Sequence, residues 1–264
     1  MLESLINQTV LPKKVVVVND NSTDNTENII SDFSTKYTWI KSINLSSSKE
    51  HRPGSKVINA FNKGLGTLDD KYDIICKFDA DIILPNNYLE RIVNLFKSDE
   101  KVGIAGGLAF IEKKGNWIYE TVSSKDHVRG PFKAYRKECF KDIGGLKESI
   151  GWDTADVLLA QFFGWKVKTD ENLHVKHLKP TGKSYQENSN LLFGEALYKM
   201  RYGFILTILS GIKRGIIKRS SSHFLNTIKG YFAAKNKRSE FIVTEEQGIF
   251  IRKLRWQNIF KRIF

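Results

Sequence analysis

Residues 74–85 read Ile-Ile-Cys-Lys-Phe-Asp-Ala-Asp-Ile-Ile-Leu-Pro, an apolar run broken by Asp79-Ala80-Asp81 and resumed before Pro85. A short apolar run bounded by a turn signal predicts a strand, Ile74 to Phe78, with two carboxylates at its carboxyl end. Upstream, Val15-Val16-Val17-Val18 is a continuous β-branched run that ends in the polar loop Asn19 to Thr26, and helical spacing follows at Ile29, Ile30 and Phe33. That pattern fits a strand buried on both faces, then a helix. Trp39 to Leu45 predicts a second strand, Ser55 to Leu65 a helix, and Asn86 to Phe96 a helix with Leu89, Ile92, Val93 and Phe96 on one face. Strand and helix in alternation define an α/β class, Rossmann-like, with a mainly parallel sheet and helices on both faces. Ligands of such sheets bind beyond the carboxyl ends of the strands, where both acidic loops fall.

From Val102 the pattern changes to short strands and Gly-rich turns, then a helix near Arg136 to Ile143 closed by Gly144-Gly145. A further helix from about Thr154 to Phe163 stops at Gly164, and Lys166 to Lys168 predicts a strand. After Gly182 the chain turns helical, aromatic and basic. The expected division is an α/β domain over 1–182 and a helical, basic extension over 183–264.

The 264 residues, 41% of them apolar, suffice for a core and exclude general disorder. The net charge of +13 is unevenly placed: 27 Lys/Arg face 25 Asp/Glu up to Phe193, against 15 and 4 from Gly194 to Phe264. The nearly neutral main part excludes a nucleic-acid reader built around it, so no nucleic acid is expected as partner. In the tail, Phe204, Ile205, Ile208 and Leu209 precede Lys213, Arg214, Lys218 and Arg219, a mixture that suits helices lying on an anionic membrane surface. A packed helical appendage with a solvated basic face is the alternative. The longest nearly apolar run, Tyr202 to Ile212, has eleven residues, well short of the ~20 needed to span a bilayer. Cys76 and Cys139 lack disulfide or zinc spacing, and the N-terminus lacks the features of a signal peptide. A cytoplasmic, reducing setting follows as the expectation.

Asp79 and Asp81 can share a hard divalent cation with a diphosphate, while a solvated turn with a capping Asp is the plain structural reading. The Asn19 to Thr26 loop has no glycine, so it is not a dinucleotide-binding turn, but Asp20 can accept hydrogen bonds from a base or ribose. In Gly151-Trp152-Asp153-Thr154-Ala155-Asp156, a carboxylate can act as general base and Trp152 can face a sugar ring. Helix capping accounts equally well for an Asp in that place, Asp156 above all. His174 and His177 lie in a strand-like segment, and imidazole joins carboxylates on Mn-type ions.

Taken in order, SLINQT (4–9), VVVVNDNSTDNT (15–26), NAFNKGL (59–65), CKFDADIILP (76–85), RGPFKAYRKECFKDIGGL (129–146) and WDTAD (152–156) with FFGWKV (162–167) resemble the family 2 glycosyltransferases of GT-A fold. The resemblance runs over roughly Ser4 to Gly182. It implies that Asp20 contacts the nucleotide base, that Lys56 meets base or phosphate, and that Asp79 and Asp81 face ribose and metal. By the same resemblance Asp81 is expected to be the main protein ligand of Mn2+ or Mg2+, and His177 matches a third metal contact of some relatives. Asp153, eleven residues before Gly164, matches the family's base in a single in-line, inverting displacement. The donor is then a nucleotide sugar and the acceptor a saccharide or lipid-linked saccharide in cell-surface polysaccharide synthesis, with the enzyme peripheral on the cytoplasmic face of the membrane. Two departures stand out. Relatives begin with a strand ending in Pro-x-x-Asn, and without it the strand at Val15 is expected on an edge. Either the start lies upstream or the enzyme is damaged, which leaves open a degenerate GT-A scaffold that binds membrane or polyanion. Trp152 also stands where relatives usually carry Glu, so the acceptor wall differs.

Overall fold

The β-branched run folds as β1 (Val15–Asp20), paired in parallel with β2 (Ile40–Leu45) from Val15↔Ile40 to Asp20↔Leu45. A parallel pair needs a crossover, and α2 (Thr26–Lys36) supplies it. Residues 1–47, 54–121, 125–179 and 189–261 are described by the computed structural model. Among them β1 pairs with β2 alone, forming a two-stranded sheet. Helix α3 (Ser55–Leu65) packs on β1 through Gly64, where an added Cβ would stand 2.9 Å from Val18 Cγ2.

A second sheet has six strands. Its order is β3 (Ile74–Phe78), β7 (Phe132–Arg136), β5 (Val102–Lys113), β8 (Lys166–His177) and β4 (Ile82–Ile83), with β6 (Asn116–Tyr119) beside β5. Only β5 and β8 run parallel; β3–β7, β5–β7, β5–β6 and β4–β8 are antiparallel. The α/β class stands, but the expectation of a mainly parallel sheet is corrected to a mixed one. The reason is chain length: β5 and β6 are joined by Lys114-Gly115 alone, and so short a link forces an antiparallel hairpin.

The first eight residues of β5 are all buried, as suits a central strand covered on both faces. At Gly107 an added Cβ would lie 2.3 Å from the Leu173 carbonyl oxygen, so the seam with β8 requires glycine there. The expected strand Lys166 to Lys168 is the start of β8, which continues through polar residues to His177. Across that stretch the β5–β8 register shifts between Gly106 and Leu108, and Asp170 is held by the Arg91 guanidinium at 2.6 Å. Helix α4 (Tyr88–Ser98) packs Tyr88, Ile92 and Phe96 into the core with Ile82, Val102 and Phe132. Short helix α1 (Leu2–Ile6) adds Leu5, and Gln8 beyond it donates to the Ser4 and Pro85 carbonyls and accepts from the Leu89 amide. These bonds brace the segment that leaves Asp81. Neither cysteine forms a disulfide: Cys139 of α5 (Lys137–Asp142) is buried, and burial pushes the Cys76 thiol up to about 12.

The contacts divide the chain into two units, Met1–Leu146 with Phe163–Thr181, and Lys147–Phe162 with Gly182–Phe264. The expected boundary at 182–183 lies outside the described residues. In the second unit α6 (Trp152–Phe162) contacts α10 (Glu245–Phe260), while α7 (Ser189–Lys199), α8 (Phe204–Lys218) and α9 (Ser221–Asn236) pack together. An added Cβ at Gly194 would sit 2.0 Å from the Thr227 carbonyl oxygen, and one at Gly230 2.0 Å from that of Leu191. The α7–α9 crossing is therefore backbone against backbone. Part of the basic charge is spent inside this unit: Arg201 stacks on Phe241 at 3.6 Å, Arg214 on Phe193 at 4.5 Å, and Arg252 donates to the Arg201 carbonyl at 2.8 Å. Helix α8 buries Leu206, Thr207 and Gly211 and leaves Ile205, Leu209, Ile212 and Ile216 exposed. No helix among the described residues is long and apolar enough to cross a membrane.

Candidate active site

Asp20 ends β1 with its carboxylate turned to the loop after β2. The Ser47 amide donates to Oδ1 at 3.1 Å, the Ser47 hydroxyl to Oδ2 at 2.8 Å, and the Lys56 ammonium stands 3.5 Å from Oδ2. Burial pushes this carboxyl up, but the two Ser47 bonds and Lys56 outweigh it and hold it below the ordinary aspartate value. Asp20 and Lys56 are thus brought together. Beside them a cleft of about 330 Å3 is lined by Asn19, Asn21, Ser22, Glu27, Asn44 and Ser46, a size at the low end of small-molecule pockets. Further along the loop, Asp24 accepts from Thr26 and sits in the field of Lys179, and both hold its carboxyl down.

Asp79 and Asp81 leave β3 in different environments. The Lys77 ammonium is bonded to Asp79, whose amide donates to the Pro131 carbonyl at 2.9 Å. Lys77 is buried, and so is Lys133, which faces it across β3–β7. Asp81 instead meets His177. The pairing Ile82↔His177 and the bond from the Leu178 amide to the Asp81 carbonyl, 2.9 Å, bring Asp81 Oδ1 to 3.7 Å from His177 Nε2. The strand period separates the two histidines: His177 is buried, while His174 is exposed and stacks on Phe110 at 4.0 Å. Two donors about 2.1 Å from one cation lie within about 4.2 Å of each other, so Asp81 and His177 are within reach of a shared Mn2+ or Mg2+ after a small side-chain adjustment. Among the described residues no three His, Cys, Asp or Glu side chains converge as a metal group. The protein would then furnish two ligands, and diphosphate and water the rest, the usual arrangement for a hard cation at a phosphate site.

In the second unit, Asp153 lies in the first turn of α6 and is half-buried, Trp152 is 7% exposed, and Asp156 is buried with Oδ1 accepting from the Val157 amide at 2.6 Å. Four buried charged residues around the acidic loops escaped the sequence reading: Lys77, Lys133, Glu120 and Arg129. The signal for the first two was a lysine inside an otherwise apolar strand. Glu120 and Arg129, fully paired with each other, had none.

Acidic loops at the carboxyl ends of β1 and β3, on an α/β scaffold, define a protein of GT-A type. The chain belongs to glycosyl transferase family 2, whose model matches residues 1–145. It is 34% identical over 94 residues to the probable glycosyltransferase YdaM of Bacillus subtilis (strain 168), covering 36% of this chain and 21% of that protein. It is 26% identical over 162 residues to the O-antigen chain rhamnosyltransferase WbaN of Salmonella anatum, covering 53% and 48%. The chain thus spans less than half the length of these curated relatives. Among solved structures it is similar to the mannosyltransferase PcManGT from Pyrobaculum calidifontis in complex with GDP-Man and Mn2+, with TM-score 0.55, 13% identity, and coverage of 98% of this chain and 75% of that one. At that identity the likeness concerns the fold.

Proposed function

We propose that the chain is an inverting, metal-dependent glycosyltransferase that moves a sugar from a nucleoside diphosphate donor to a saccharide or lipid-linked acceptor in cell-surface polysaccharide synthesis. The observation that carries this reading is Asp81 Oδ1 at 3.7 Å from His177 Nε2, at the carboxyl end of a strand in a family 2 chain. Asp20 and Lys56 hold the nucleoside end. Asp79, bonded to Lys77, turns to the ribose. Asp81 and His177 hold the cation, which when bound neutralises charge on the leaving diphosphate. Asp153 takes the proton of the acceptor hydroxyl as that oxygen bonds to the anomeric carbon. The bond from that carbon to the diphosphate breaks, its electron pair leaves with the diphosphate, and the carbon inverts. Trp152, at 7% exposure, offers the acceptor only a small apolar strip. The exposed stripe of α8 and the lysines and arginines beside it support a peripheral position on the cytoplasmic face of a membrane.

The test is release of nucleoside diphosphate from a panel of nucleotide sugars by the full chain, with Mn2+ and with chelator. Asp81→Asn is expected to lower kcat/KM at least 100-fold, about 2.7 kcal/mol of transition-state stabilisation. Asp153→Asn is expected to abolish transfer while nucleotide binding by calorimetry stays. A second reading, a degenerate GT-A scaffold that binds membrane or polyanion, draws on the exposed apolar residues of α8 beside Lys213, Lys218 and Arg219. Absence of both nucleotide binding and turnover in the native chain would select it.

A further inference from the structure

His177 is threaded between two carboxylates of different exposure. Nε2 faces Asp81, whose side chain is 31% exposed, and Nδ1 lies 3.5 Å from Oε2 of Glu120, whose side chain is 4% exposed. Nδ1 is fully buried and makes no hydrogen bond within ordinary geometry, so a small turn of the ring toward Glu120 satisfies it. Glu120 itself is fixed. Its amide donates to the Ala109 carbonyl at 2.8 Å, which locks the end of β6 to β5, and Arg129, also buried, is paired with Oε2. A buried ion pair is poor evidence for stability, because apolar side chains of like volume often do as well. A carboxylate aimed at the inner nitrogen of a histidine has a recognised use: it takes the N–H there, so the outer nitrogen keeps its lone pair for a ligand.

We propose that Glu120, held by Arg129, is a positioning residue that fixes His177 as the Nδ1–H tautomer and turns its Nε2 lone pair toward Asp81 and the donor's cation. The inference rests on the proposed use of a divalent cation at Asp81 and His177. Its first consequence needs no cation at all, since the tautomer is a property of the protein alone.

The test uses the full chain. It contains five histidines, few enough for the His177 ring nitrogens to be assigned by NMR through loss of their signals in His177→Ala. The metal-free native protein is expected to show His177 protonated on Nδ1. In the double variant Glu120→Met/Arg129→Met, which removes both members of the buried ion pair, the Nδ1–H preference is expected to be lost, and the Kd for Mn2+ read by electron paramagnetic resonance to rise about 10-fold. Native His177 carrying its proton on Nε2, or a folded double variant with unchanged tautomer and Mn2+ affinity, would overturn the proposal. Should the double variant fail to fold, Glu120→Gln decides: a weakened Mn2+ affinity supports the proposal and an unchanged one rejects it. His177→Ala separates this inference from the reading beneath it. Mn2+ affinity untouched by His177→Ala removes the metal role and the inference together. Affinity lost there but intact in every folded Glu120 variant removes the inference alone.

Discussion

Asp20 shows how one carboxylate, proposed to meet the donor, also serves local structure. It accepts both polar hydrogens of Ser47 and faces Lys56, so it ties the loop after β2 to the end of β1. Hydrogen bonds to a charged group are worth more than neutral ones, and Asp20→Ala is expected to cost roughly 1–2 kcal/mol, a Tm drop of roughly 3–6 °C at neutral pH. The sign with pH follows from a folded pKa below the ordinary value of 3.8. The contribution is complete above that ordinary value and lost as pH falls through the folded one, so the Tm gap between native and variant should close on acidification. A gap that persists at low pH in thermal melts would show that the carboxylate's charge does not matter. Asp20, Asp79 and Asp81 were legible because carboxylates at the ends of apolar runs stand out. Glu120 and Arg129 were not, since a buried pair thirty or more residues from its histidine partner leaves no local pattern.

Among the elements, β8 was the least legible in sequence. Thr169, Asp170, Glu171 and Asn172 look like a loop, yet the strand runs through them because Arg91 neutralises Asp170 and the β5 ladder resumes at Leu108↔His174. The cost of that seam is a strict size limit at Gly107. Gly107→Ala must move the Leu173 carbonyl, and a loss of about 1–3 kcal/mol is expected in denaturant titration. The same change should weaken Mn2+ binding, since β8 carries His177 at its end. A variant as stable as the native chain would show that the seam can open without loss. By contrast β1, α2, β2 and α3 fell close to where periodicity placed them. Their short apolar runs and helical spacings are local, whereas the antiparallel order of β3 to β7 depends on which strands meet.

For the whole molecule, charge and apolar surface coincide in one place. The second unit holds most of the +13 net charge, and α8 exposes Ile205, Leu209, Ile212 and Ile216 near Lys213, Lys218 and Arg219. Arg201, Arg214, Arg252 and Arg255 are committed to internal contacts, so fewer cations are left for an anionic surface than composition suggested. Co-sedimentation with vesicles rich in anionic lipid is expected, weakened by salt and reduced at least 10-fold in Ile205→Glu/Ile216→Glu. Equal sedimentation of this variant would assign the stripe another role. The two thiols offer a separate handle on the same division. Cys76, half-buried with its thiol pushed up to about 12, and Cys139, buried, both belong to the first unit, and neither reacts readily while that unit is folded. Their labelling kinetics therefore clock the opening of that unit alone, while the C-terminal helices can melt without consuming any reagent.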